Sequence, residues 1–310
     1  MSNFFKLLYN EQFKIYIRKS TWVMYLLLAG IIITLAVVTN SYGDLNEKYQ
    51  QDNWRDVLQE ENNEINEHLQ ENEQSGQLTK NNFYLENDIQ PRAYDAWQFV
   101  MENVFLLSLV TLFTIIVAAG IIANEFRWGT IKLLLIRPLS RTKILLSKYI
   151  SVLIFAFLTL LFVLLISLIV GALFFGVNGD ASFVQNQLGS YAHVSIYGEI
   201  LKGYGYQLVT LLMMATFAFM ISSAFRQSSL AIGIAIFLMF AGNSIVAFFA
   251  DHSWAKFILF ANTNLEQYEF GEPIIEGMSV GFSITVLAVY YIIFLVVTWL
   301  FFTKRDVAGQ

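Results

Sequence analysis

Asn103-Val-Phe-Leu-Leu-Ser-Leu-Val-Thr-Leu-Phe-Thr-Ile-Ile-Val-Ala-Ala-Gly-Ile-Ile-Ala123 contains no Asp, Glu, Lys, Arg or Pro. An α-helix rises 1.5 Å per residue, so a run of this length covers the roughly 30 Å hydrocarbon core of a bilayer. In lipid a backbone must satisfy its own hydrogen bonds, and the run lacks the polar–apolar alternation of a barrel strand, which leaves a helix. Five further runs share the pattern: Thr21–Thr39, Tyr149–Phe175, Gly203–Phe225, Ser229–Ala250 and Ser279–Thr303. The prolines (Pro91, Pro138, Pro273) all fall between runs. The expected fold is an all-α integral membrane protein, a single transmembrane domain over 1–310 with six spans.

Composition agrees. The 310 residues are 56% hydrophobic and 14% charged, with mean hydropathy +0.54, whereas a soluble domain carries about 25% charge. There is no cysteine, which excludes a disulfide framework and a thiolate metal site. The first apolar run is too long for a signal peptide and lacks a small-x-small site in Val37-Val-Thr-Asn-Ser41, so it reads as an uncleaved anchor.

The charges are segregated. With the N-terminus in the cytoplasm, the inner segments hold 13 of the 19 basic residues and three of the 24 acids, namely Glu11, Glu125 and Asp306. Cytoplasmic loops favour Lys and Arg, so both termini are expected inside, and reversing the chain would invert the rule at every loop.

Between the runs, Lys6, Asn10, Lys14 and Arg18 recur every four residues opposite Phe5, Leu8, Phe13 and Tyr16. Residues 2–19 therefore read as an interfacial amphipathic helix, basic face toward anionic headgroups, or else as a short cytoplasmic extension of the first span. Residues 41–97 form an acidic external insert, with Trp54, Leu58, Ile65 and Leu69 on one face of a helix, Gly76 interrupting it and Pro91 ending the stretch after the glycine. It has too few apolar residues to bury a core of its own, so a small helical cap or an extension of the first span is expected. Segment 251–278 is external, and its apolar stretch 254–260 is either re-entrant or a plain loop.

The loop 124–148 is the most informative stretch. Gly129 breaks the helix leaving the membrane, Thr130 can cap a short helix from Ile131, Pro138 ends it, and Ser140 can cap the next. A stubby amphipathic helix carrying Lys132 and Arg137 results, where topology alone requires only a positive loop.

Other chemistry is missing. His68, His193 and His252 are scattered, with no H-E-x-x-H. The chain has no Gly-Lys dipeptide, hence no P-loop, and no G-x-S-x-G elbow. No ionisable residue sits inside a run, which disfavours a proton-coupled pump and weakens a sodium-coupled carrier. The chain is not expected to be an enzyme, nor to bind nucleic acid. If it moves something, the energy enters from a partner.

Glu125, Gly129-Thr130, Leu133-Leu134-Leu135, Pro138, Ser140-Arg141 and Lys148 resemble the E-x₃-G-T … L-L … P-x-S-R … K stretch of ABC-2 (type V exporter-like) ABC transporter permeases. Ser222–Ser228 and the ending Phe301–Asp306 resemble that family more weakly. The resemblance implies a subunit of the plasma membrane of a prokaryote that pairs with a second copy or a paralogue. It implies a separate ABC ATPase subunit holding ATP and Mg, with no cofactor in this chain. The helix around Ile131–Arg137 would be the coupling helix, with Glu125, Arg127, Gly129, Thr130, Ile131, Lys132, Leu134, Arg137, Pro138 and Arg141 as coupling residues. The alternative for Glu125 is a salt bridge with Arg127, Lys132 or the N-terminal helix. Spans rich in Phe, Leu and Ile suit an amphipathic or lipid-like cargo. Asn243, Thr111 and Thr114 are pathway contacts in this reading, or else buried helix–helix hydrogen bonds. A competing reading is a non-transporting sensor or immunity protein whose acidic insert captures a cationic peptide.

Overall fold

A computed structural model describes residues 2–43, 45–68, 76–131, 133, 139–179, 182–187, 190–270 and 273–304. Six helices are long and apolar enough to cross a membrane: Lys19–Tyr42, Ala96–Arg127, Arg141–Phe175, Ile196–Phe225, Ser228–Phe248 and Val280–Lys304. Each overlaps one of the six runs, and the second, third and fourth begin seven or eight residues earlier than the run. The second is interrupted by one 3₁₀ turn at Asn103–Leu106. Helices this apolar on every side suit a medium where the outward face is also apolar, and Phe237, Phe240, Ile284 and Ile292 are exposed accordingly.

The chain divides into two compact units. One comprises Met1–Leu28, Phe105–Val163 and Tyr204–Gln310; the other comprises Ala29–Val104 and Leu164–Gly203. In the first unit the second span is the enclosed member, with Val110, Ile115, Ala118, Ala119 and Ile122 buried. Small side chains let its neighbours approach: Ala215 and Ala218 on the fourth span, Ala231 and Ala235 on the fifth. The Ser222 hydroxyl donates to Ala119 O (2.6 Å) and accepts from Ala123 N (3.2 Å), tying the fourth span to the second.

The segment between the fifth and sixth spans folds back on the first unit. Its short helix Leu259–Thr263 brings the Phe260 ring against Gly242 of the fifth span, where an added Cβ would clash with the ring. Asn262, fully buried, donates to Lys256 O and Ile258 O (both 2.9 Å) and accepts from the Ser283 hydroxyl at 2.7 Å.

The second unit differs from the sequence expectation in two ways. The insert contains helices Trp54–His68 and Gly76–Glu86, and Gly76 begins the second helix rather than merely interrupting the first. The insert also has a core, because the connection between the third and fourth spans supplies part of it. That connection is an antiparallel hairpin, β1 (Ser182–Gln187) and β2 (Ser190–Ser195), in register Ser182↔Ser195 through Gln187↔Ser190. Val184 joins Tyr49, Trp54, Leu58 and Tyr84 in one cluster, with Tyr191 packed beside it. Too few apolar residues were available locally, and the fold borrows the remainder from about 100 residues downstream.

Candidate functional site

The N-terminal helix Ser2–Tyr16 buries Leu7, Glu11 and Ile15, which recur every four residues and so share one face. Its opposite side exposes Phe5, Tyr9 and Phe13, a row that Ile17 continues. Glu11 is therefore carried into the protein, where it meets the start of the third span and the end of the second.

Lys148, completely enclosed, donates to Glu11 Oε2 at 2.8 Å, to Glu125 Oε1 at 3.1 Å and to Ile121 O at 3.3 Å. Lys14 donates to Glu125 Oε1 at 2.7 Å and Glu11 Oε1 at 3.1 Å. Two carboxylates and two ammoniums thus form a neutral cluster, which is the condition for keeping charge out of water. Burial works against the charge on Lys14, but Glu11 and Glu125 outweigh it and hold its pKa above the ordinary lysine value. Gln12 adds a bond from its side-chain amide to Ser151 O (2.8 Å). The cluster fastens three segments: N-terminal helix, second span and third span.

The loop leaves from this cluster. The helix ends at Arg127, and Gly129 takes φ 70°, the left-handed conformation suited to glycine. The Thr130 hydroxyl turns back to donate to the Glu125 carboxylate. Ile131 is buried in the main core, whereas Arg127, Trp128 and Leu133 are exposed. Arg18 lies over the Trp128 ring at 5.4 Å. On the far side Ser140 Oγ accepts from Lys143 N at 3.3 Å, as expected of a cap. Arg141 donates to Thr303 O at 2.9 Å, holding the third span to the end of the sixth. Lys132, Leu134, Arg137 and Pro138 lie outside the described residues. Arg226, at φ 57° in the tight link before the fifth span, stacks over Phe126 at 4.3 Å.

The sequence reading placed Lys14 toward headgroups, and this is corrected: its ammonium faces two carboxylates, because Glu11 and Glu125 lie close enough to hold it. Of the alternatives for Glu125, a salt bridge with the N-terminal helix is present. Glu11 and Lys148 were missed as partners. The available signal was Glu11 itself, a lone acid in a basic segment, spaced four residues from Leu7 and Ile15. Thr111 and Thr114 are buried, and their hydroxyls are spent within their own helix on Leu107 O (3.0 Å) and Val110 O (2.8 Å). Asn243 is exposed on the fifth span. Among the described residues no group of three or more His, Asp or Glu side chains is placed to hold a metal ion.

Comparison with known proteins adds kinship. The chain is 42% identical over 315 residues to "Uncharacterized protein YhcI" of Bacillus subtilis (strain 168), covering 98% of this chain and 99% of the relative. It is 35% identical over 202 residues to "Uncharacterized membrane protein YdbK" of the same organism, covering 64% of this chain and 78% of that one. The apolar helices and this relative agree on a multi-pass membrane protein. The model of a family described as "Protein of unknown function (DUF2705)" matches residues 68–308. With most of its length under that match, the chain belongs to the DUF2705 family.

Proposed function

We propose that the chain is the membrane subunit of an ATP-driven transporter of the ABC-2 permease kind, with loop 124–148 as the seat of a separate ATPase. The observation that carries this reading is the neutral ion cluster at the root of the loop. A relay must be fastened to the helices it moves, and the cluster joins the loop's two flanking spans to the N-terminal helix. A loop that only satisfied topology would need neither the buried lysine nor the exposed Trp128 and Leu133 beside it.

In this reading both termini and the loop face the cytoplasm, as the Lys/Arg asymmetry favours. The exposed row Phe5, Tyr9, Phe13 and Ile17 meets the lipid interface, while the insert and hairpin lie outside. ATP and Mg belong to the partner, and a second copy or a paralogue completes the translocation path for an amphipathic or lipid-like cargo. Closure of the ATPase pair displaces the loop. Because Glu125 and Lys148 share contacts with Lys14 and Glu11, the second span, third span and N-terminal helix shift together.

The test is affinity purification of the full chain from its native cell in detergent. A Walker-motif ATPase is expected to co-purify, and its hydrolysis rate to rise when the chain is present. Absence of any such ATPase, together with unaltered function after charge reversal at Arg137 and Arg141, overturns the proposal. The competing capture role is favoured by the exposed acids of the insert, among them Glu47, Asp56, Glu60 and Glu64. Deleting residues 45–83 separates the two: loss of cationic-peptide binding with ATPase stimulation intact favours capture.

A further inference from the structure

The fold-back between the fifth and sixth spans presents an exposed aromatic patch. Its 3₁₀ turn Ala255–Phe257 is pinned by Ala255, which is buried in a cluster with Val246, Ala261, Ile275 and Met278. With that residue held inside, Trp254 and Phe257 are left facing outward, 50% and 53% exposed. Phe248, at the end of the fifth span, is more exposed still. The rings of Phe249 and His252 lie 5.1 and 5.8 Å from that of Trp254 and steady it.

The depth of the patch follows from its anchors. Phe260 packs on Gly242, about 9 Å of helix rise before Phe248, where the fifth span ends. The Phe257 carbonyl accepts from the Tyr290 hydroxyl at 3.0 Å, and Tyr290 is well inside the sixth span. The turn therefore sits at the ends of both helices or below them, in the zone where headgroups meet acyl chains. Exposed aromatic side chains are at home in that zone.

Lys256 lies in the middle of the patch. Its ammonium is 5.6 Å from the Phe257 ring centre and 5.8 Å from that of Phe282, in the first turn of the sixth span. It makes no ion pair or hydrogen bond among the described residues, and it is not closed off from its surroundings. The acids nearest in sequence, Asp251 and Glu266, are themselves exposed. A lysine at this level keeps its stem in apolar surroundings and sends its charge toward the headgroups. A free anion would answer the charge and leave Phe248, Trp254 and Phe257 in water, whereas a lipid covers both. Choline and ethanolamine headgroups already carry an ammonium of their own, so the lipid that matches Lys256 is one with a net negative charge.

We infer that the fold-back seats an anionic phospholipid, its phosphodiester on Lys256 and its glycerol and upper chains against Phe248, Trp254 and Phe257. This assignment rests on the six spans and not on the transporter reading.

Quenching of Trp254 fluorescence tests it, read as the difference between the full chain and its Trp254→Phe variant in phosphatidylcholine vesicles. The vesicles are doped with brominated phosphatidylglycerol or, separately, with brominated phosphatidylcholine. Both should quench Trp254, and phosphatidylglycerol should do so at about fivefold lower mole fraction, the worth of one lysine at a charged membrane surface. Lys256→Gln should erase that preference while quenching by phosphatidylcholine persists, and Lys256→Arg should keep it. Inorganic phosphate at constant ionic strength should change nothing; relief of quenching by it would assign the charge to a free anion and overturn the lipid. Absence of quenching by either lipid would put the turn in water or against a protein. Equal quenching by the two would remove the headgroup contact, and a preference that survives Lys256→Gln would put that contact elsewhere. Each of these three results overturns the assignment.

Discussion

Replacing Lys148 by Met removes a cation from the interior while nearly preserving volume. The cluster then holds Glu11 and Glu125 against Lys14 alone, one uncompensated negative charge among buried groups. Breaking a buried pair from one side costs about 3–5 kcal/mol, since the remaining partner keeps its desolvation penalty without its attraction. Glu11→Gln leaves the opposite imbalance, but there the excess cation has an outlet. Lys14 is 43% exposed along its side chain and can turn to water, so this change should cost roughly 1–3 kcal/mol. The double substitution leaves Glu125 with Lys14, neutral and paired at 2.7 Å. It should therefore be less destabilising than the sum of the singles by about 2 kcal/mol, within the range measured for groups in contact. Unfolding of the purified chain in mixed micelles, followed by far-ultraviolet circular dichroism against denaturant, reads all four members of the cycle. Additivity within about 0.5 kcal/mol would refute the argument, because independent sites add to that precision.

Gly242→Ala places a methyl into the Phe260 ring and should destabilise the fold by about 1–3 kcal/mol; Phe260→Leu in the same chain should recover part of that loss in a thermal melt. Tyr49 donates to both Glu61 oxygens at 2.8 and 2.7 Å, and burial together with that carboxylate pushes its phenol up to about 12. The folded state then holds its proton more tightly than the unfolded state. The contribution is intact below pH 10 and is lost as pH climbs toward about 12, so Tyr49→Phe should flatten that part of an alkaline unfolding curve. Leu133→Glu combined with Trp128→Ala should cost no more than about 1 kcal/mol of unfolding free energy, the worth of the exposed Arg18–Trp128 contact, yet abolish co-purification of the ATPase. A larger loss of stability would instead identify these side chains as structural.

Some parts of this fold are visible in one sequence and others are not, for a common physical reason. A spanning helix satisfies its hydrogen bonds within itself, so Asn103–Ala123 announces its own structure. The break at Gly129 and the cap at Ser140 are equally local. The hairpin is weaker as a signal: Val184 and Tyr191 sit in short polar strands whose apolar positions acquire meaning only against Trp54 and Leu58 of a distant segment. The ion cluster is harder still. Lys148 reads as one more positive residue at a membrane boundary, and its enclosure depends on a helix 137 residues earlier in the chain. Asn262 and Ser283 likewise look like ordinary loop and span residues until the fold-back puts them 2.7 Å apart. In Thr111 and Thr114 the sequence showed polar groups but not their direction, and both hydroxyls return to their own helix.

The separation between Glu11 and Lys148 also has a consequence for biogenesis. At roughly 5–20 residues per second, a ribosome needs about seven to twenty-seven seconds to deliver the lysine 137 residues after the glutamate. Throughout that interval the Glu11 carboxylate has Lys14 of its own helix as a counter-charge but not Lys148. The Glu11–Lys148 contact therefore forms only after the start of the third span has been made.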